Sequence, residues 1–175
     1  MKKWFFFALI AVFFLIQTSA AASNGSVEIE TDTFGASVDL TVTGSIANWS
    51  LTVGENEDVG SIMMTVLSNN AGGYDVKVYD ARDGGKALET AGHLTKYESS
   101  YLGTYLKNPL QIKSGTGAYV SLSGVQQSIE SKVGISDDAG DTYAIGIKQR
   151  LEPSDKVLNS GQSYRIVVTF VASAL

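Results

Sequence analysis

Cysteine is absent from the 175-residue chain. That excludes disulfides, thiol catalysis, cysteine-ligated zinc and iron–sulfur clusters, so the protein must fold on its core alone. It also excludes a lipid-modified N-terminal cysteine. Histidine is nearly as scarce, with His93 of Ala91-Gly92-His93-Leu94 the only one. A Ser-His-Asp relay would have to use it, and no nucleophile-elbow pattern accompanies it. The expectation is a protein that is not an enzyme. Positive charge is in short supply as well: 13 Lys and Arg stand against 18 Asp and Glu, with no basic cluster. Nucleic acid and anionic lipid are therefore poor partners.

What is present first is an address. Met1-Lys2-Lys3 is basic, and Trp4 to Ile16 is an unbroken apolar run of 13. Ser19-Ala20-Ala21-Ala22 follows, with Ala20 and Ala22 at the small-residue positions of a cleavage site. Residues 1–22 read as a secretory signal peptide, cut after Ala20 or Ala22. The other reading is a retained anchor, but the run falls short of the roughly 18–20 apolar residues that span a bilayer. The expected mature form is a single domain, 23–175, with no membrane span. Losing Lys2 and Lys3 takes its formal net charge from −5 to −7. Its expected location is secreted, extracellular or cell-surface, or periplasmic in a Gram-negative host.

The rest alternates. Ile62, Met64 and Val66 share one face of Ser61–Leu67, and Tyr74, Val76 and Val78 share one face of Tyr74–Tyr79. Asn69, Asn70, Gly72 and Gly73 lie between, which predicts an antiparallel hairpin with one buried side. Val38, Leu40 and Val42 predict a strand over Ser37–Thr43. Trp49, Leu51 and Val53 predict another over Asn48–Val53, with Trp49 as a core centre, followed by an acidic turn at Gly54–Asp58. From Ala81 to Ser114 the pattern loosens into an expected insertion with short strands, the last over Leu110–Lys113. Further strands are expected at Tyr119–Leu122, around Tyr143, Ile145 and Ile147, and at Tyr164–Val171. Val125, Ile129 and Val133 fit a short helix and a strand equally. The closing strand is apolar on both faces and is expected at the centre of a sheet, or covered from outside.

Eight or nine strands between Gly/Asn/Asp turns predict an all-β antiparallel β-sandwich. A closed barrel is the alternative. Residues 23–36 are polar and Gly-containing, apart from one short alternating piece at Val27-Glu28-Ile29-Glu30. They are expected to be flexible or to donate a strand.

Several residue groups are candidates for binding. Tyr97, Tyr101 and Tyr105 recur at four-residue spacing; they can stack a sugar, meet a neighbouring subunit or fill an open end of the core. Asp137, Asp138 and Asp141 beside Gly140 offer oxygen ligands to calcium, although not in EF-hand spacing. No other cofactor is expected. Glu55/Glu57 and Asp137/Asp138 are carboxylate pairs of the kind glycosidases use, but neighbouring acids in turns are more often solvated. Asn24-Gly25-Ser26 and Asn48-Trp49-Ser50 are N-glycosylation sequons.

Trp49-Ser50-Leu51, together with Tyr164 and Thr169-Phe170 near the end of the chain, resembles the two ends of WxL-type cell-surface domains. Phe170 stands where those domains carry a second tryptophan, and Ala172 where they carry leucine. The resemblance implies a secreted β-rich module that attaches non-covalently to the Gram-positive cell wall. The layout also resembles small exported β-sandwich proteins of archaea and bacteria. The expected role is structural, adhesive or envelope-binding, toward a cell-envelope polymer, a glycan or another surface protein. Self-assembly into a filament by strand addition and carbohydrate binding are the alternatives.

Overall fold

A computed structural model describes residues 35–175; the leader pattern, residues 23–34 and Asn24 lie outside the described residues. Eleven strands carry the chain. They are β1 (Val38–Gly44), β2 (Gly54–Ser68), β3 (Tyr74–Tyr79), β4 (Thr95–Glu98), β5 (Ser100–Tyr105) and β6 (Gln111–Ser114), then β7 (Val120–Ser121), β8 (Gln127–Lys132), β9 (Asp141–Leu151), β10 (Ser163–Arg165) and β11 (Thr169–Ala174). Among the described residues the only helical element is one 3₁₀ turn, Leu88–Thr90. Every strand pair is antiparallel. A five-stranded sheet has the order β1-β2-β9-β6-β7, and two three-stranded sheets have the orders β10-β4-β5 and β11-β3-β8.

The expected hairpin is not one. β2 and β3 alternate as anticipated, but they lie in different sheets, so the chain crosses between layers at Asn69–Gly73. The crossing is built from local chemistry. Asn70 Nδ2 donates to the Gly73 carbonyl at 2.7 Å and to the Leu175 carbonyl at 3.0 Å. Gly73 takes a left-handed φ of 101°, and a Cβ there would meet the Lys132 carbonyl oxygen at 1.9 Å. Ser68, buried at the end of β2, donates its N–H to Ser136 Oγ at 2.9 Å.

Two further expectations are corrected beside it. Asn48–Val53 is an irregular connection, and the expected acidic turn Gly54–Asp58 is the first third of the 15-residue β2. Polar residues on both faces hide the alternation there. The register supplies the missing logic, since Glu55 lies opposite Arg150 and Glu57 opposite Lys148 on β9, and opposite charges across a strand pair are favourable. The register shifts between Val59 and Ile62, at the left-handed Gly60, as at a β-bulge.

The closing strand is also divided. Ser163–Arg165 pairs with β4, Ile166–Val168 crosses, and Thr169–Ala174 pairs with β3 at a sheet edge rather than a centre. Residues 127–132 are strand, which settles the helix-or-strand ambiguity. These divisions, with β4 and β5 inside the loose region, raise the strand count above nine.

One core joins the sheets. Met64 and Val66 of β2, Ile112 of β6 and Ile145 and Ile147 of β9 share it with Tyr74, Val76 and Val78 of β3. Leu94, Leu106, Leu110 and Leu122 close it from the connections. Each fully buried aliphatic side chain contributes roughly 1.5–3 kcal/mol. Trp49, the expected centre, is only half-buried and packs against this cluster. Antiparallel sheets with a shared apolar interior are consistent with a β-sandwich.

Glycine at the crossing is open to test. Gly161 is left-handed with open space around it, so Gly161→Ala should cost about 1 kcal/mol from the backbone alone. Gly73→Ala must also displace β8 and should cost about 3 kcal/mol or more. Urea denaturation of the two variants checks the difference.

Candidate functional site

The three tyrosines gather on the β10-β4-β5 sheet, as β-register rather than helical spacing dictates. Tyr97 lies directly opposite Tyr101, and their rings meet edge to face with centroids 5.3 Å apart. The Arg165 guanidinium sits 4.7 Å over Tyr97. Tyr105 packs edge to face on His93 at 5.0 Å and is 40% exposed. Tyr97 and Tyr101 are half-buried. Burial pushes the Tyr101 hydroxyl above its ordinary pKa.

Beneath this face lies a buried ion pair. Lys86 Nζ donates to Asp80 Oδ2 and, at 2.6 Å, to the His93 carbonyl. Both side chains are essentially inaccessible to solvent. Asp80 also accepts the backbone N–H of Arg82 and that of Gly92, each at 2.9 Å. Burial draws the Lys86 pKa below the usual lysine value, against the opposing effect of Asp80. The Tyr101 ring covers the pair, with Lys86 Nζ 5.9 Å from its centroid. The only local mark of this pair in the sequence is the Asp83-Gly84-Gly85 turn between its two residues. His93 Nδ1–H donates to the Leu106 carbonyl at 2.7 Å, so the single histidine is engaged in the same clasp.

The three aspartates are arranged differently from a ligand cage. Both Asp141 carboxylate oxygens accept Lys132 Nζ at 2.8 Å, and Oδ2 also accepts the Tyr74 hydroxyl at 2.7 Å. Tyr143 donates to the Tyr74 oxygen at 2.7 Å. The Asp137 N–H reaches Asp141 Oδ1 at 3.4 Å, whereas the Asp137 and Asp138 side chains are exposed. Burial raises the Asp141 pKa, but the bonds from Lys132 and Tyr74 outweigh it and hold the carboxyl below its ordinary value. Among the described residues, no group of three or more His, Asp or Glu side chains is placed to hold a metal ion.

Beside this network is an open cleft of about 610 Å³, lined by Ser114, Gly115, Thr116, Gly117, Ser128, Ile129, Glu130, Ser131 and Tyr143. Ser114 Oγ donates to Glu130 Oε2 at 2.7 Å. Hydroxyls, a carboxylate and one ring face form a polar surface. Its residues come from three separate stretches, 114–117, 128–131 and Tyr143, so no single linear motif announces it.

The other candidates are surface features. Asn48 is exposed in a connection with a left-handed φ of 54°, not at a strand start. Trp49 and Leu51 of the W-x-L tripeptide are half-buried against the core. Glu55 pairs with Arg150 at 3.5 Å. Glu57 accepts the Tyr119 hydroxyl, which holds its carboxyl below the usual range. The Lys113 and Lys148 ammonium groups both lie over the Tyr119 ring, 4.6 and 4.2 Å from its centroid. No helix among the described residues is long and apolar enough to cross a membrane. No protein-family model matches the chain, and no curated protein matches it.

Two substitutions probe these fastenings. Asp80→Ala leaves a buried ammonium and two backbone N–H groups without their acceptor, and should cost about 3–5 kcal/mol. Lys86→Met removes one charge but keeps the carboxylate's backbone donors, and should cost less in the same denaturation experiment. For Asp141 the folded pKa is depressed, so its stabilisation is complete above the unfolded value of about 4. It is lost as the pH falls through the folded value. Asp141→Asn should therefore flatten the acid limb of a stability–pH curve while leaving its neutral-to-alkaline part parallel to the parent's.

Proposed function

We propose that this chain is a non-catalytic β-sandwich protein of the secreted or cell-surface class, with a structural, adhesive or envelope-binding role. The observation that carries the reading is the employment of its chemically capable groups. His93 is bonded to a backbone carbonyl, Lys86 to Asp80, and Asp141 to Lys132 and Tyr74. Each ties a connection or a strand end to the core. In a chain without cysteine, such clasps take the place that disulfides fill in many exported domains. The basic start, apolar run and Ala20-x-Ala22 pattern support removal of residues 1–22 on export. The W-x-L tripeptide and acidic balance accord with an envelope polymer or another surface protein as partner.

Carbohydrate binding is a second reading, favoured by the Tyr97, Tyr101 and Tyr105 surface. Rings of this kind stack on sugars, and Tyr105 has the most open face. Calcium at Asp137 and Asp138 and glycan attachment at Asn48 are secondary proposals on exposed side chains.

The expected outcome in producing cells is a chain lacking residues 1–22, recovered from the medium or the envelope fraction and identified by intact mass. The purified protein should co-sediment with isolated envelope. Retention of the full chain inside the cell would sink the export reading. Affinity electrophoresis in envelope glycans separates the second reading: retardation abolished by Tyr105→Ala supports it, and unchanged migration of the parent in every glycan removes it.

A further inference from the structure

We propose that the outer edge of β1, unpaired among the described residues, accepts residues 24–34 of a second copy of this chain as an added strand. The inference rests on the structural reading above and names the partner and the surface. The argument begins with the core. Every fully buried core residue lies on β2, β3, β6, β9 or the connections between Leu94 and Leu122; none lies on β1 or β11. β1 and β11 are both sheet edges and lie beside one another with no strand pairing between them among the described residues.

Their inward residues are left partly uncovered. Val42 lies opposite the fully buried Met64, so it faces the core side, yet it is 38% exposed. Leu40 lies opposite Val66, and Phe170 opposite Val78; both pack on the core but remain half-buried. A terminal strand with an open apolar flank is a template for an extended segment with alternating apolar residues.

The chain holds such a segment immediately before the described residues. Val27 and Ile29 alternate with Glu28 and Glu30, and Phe34 follows. Two apolar side chains on one face suit the uncovered Leu40 and Val42, and the glutamates on the other face suit solvent. The attachment of this segment favours another copy over its own. Asn69 clasps the residues ahead of β1: its Oδ1 accepts the Ser37 N–H at 2.7 Å, and its Nδ2 donates to the Gly35 carbonyl at 3.3 Å. Its backbone N–H donates to the Ser37 carbonyl at 3.3 Å. This continues β1 past the end of β2. Ser37 is thereby held in line with β1, and a segment that covered its own seam would have to reverse direction directly ahead of it. Eleven residues at about 3.3 Å each reach roughly 36 Å, enough to lie along a neighbour's seven-residue β1.

The test uses the processed chain from Ser23. Its mass by light scattering at micromolar concentration should be at least twice that of the monomer. Val27→Asp with Ile29→Asp should return it to monomer with an unchanged melting curve, and Glu28→Gln with Glu30→Gln should leave the oligomer intact. Because the chain has no cysteine, pairing can be trapped cleanly. Thr41→Cys, outward on β1, is mixed with Ser26→Cys, Glu28→Cys or Glu30→Cys, and a disulfide-linked heterodimer is expected for at least one partner. A monomer at every concentration overturns the inference, as do oligomers indifferent to Val27 and Ile29. A doubly substituted chain that closes on itself as a monomer overturns it too, because the segment then covers its own seam. A processed, exported chain that stays monomeric defeats this inference alone; a chain retained unprocessed defeats the export on which it rests.

Discussion

Met64 and Val66 on one sheet share an interior with Tyr74, Val76 and Val78 on another, and the rest of the molecule depends on that burial. The two runs are neighbours in sequence. Paired as a hairpin they would present one apolar face with nothing to cover it. Placed in separate layers, each covers the other. The crossing at Asn69–Gly73 makes that arrangement reachable, because glycine tolerates both the left-handed backbone and the close approach of β8.

Around this core the polar chemistry is fastening. Asp80 gathers Lys86 and the N–H groups of Arg82 and Gly92, so a long connection closes on a buried charge pair. Breaking such a pair one-sidedly is costly, whereas its net contribution when intact is small. Asp141 plays the corresponding part at the opposite end of β3, joining β8 and β9 to Tyr74. The two clasps differ in exposure: the first is sealed under Tyr101, and the second borders an open polar cleft. The tyrosine face thus has a structural task whether or not it also meets a ligand.

The same economy leaves the fold uneven. The central strands β2, β9 and β3 supply fully buried side chains, while β1 and β11 supply none and carry apolar side chains that solvent still reaches. Edge strands in stable domains are commonly blunted by charge, proline or a bulge. β1 has one charged residue, Asp39, and it points away from the core; nothing on its inward side protects Leu40 and Val42. That asymmetry is the observation on which the proposed interaction surface rests.

The all-β class, the antiparallel pairing and the inward residues of β1, β2 and β3 were legible in the sequence because period-two alternation is a local consequence of strand geometry. So was the scarcity of cysteine and histidine, since residue type needs no fold. Which strands pair was not legible, because alternation names a face and is silent on what covers it; hence a crossing read as a hairpin. The polar start of β2 was not legible as strand because its partners, Lys148 and Arg150, lie more than ninety positions away. The Asp80–Lys86 clasp, the Asp141 network and the hydroxyl-lined cleft were likewise decided by tertiary structure alone. Each depends on distances between side chains that only packing brings within bonding reach.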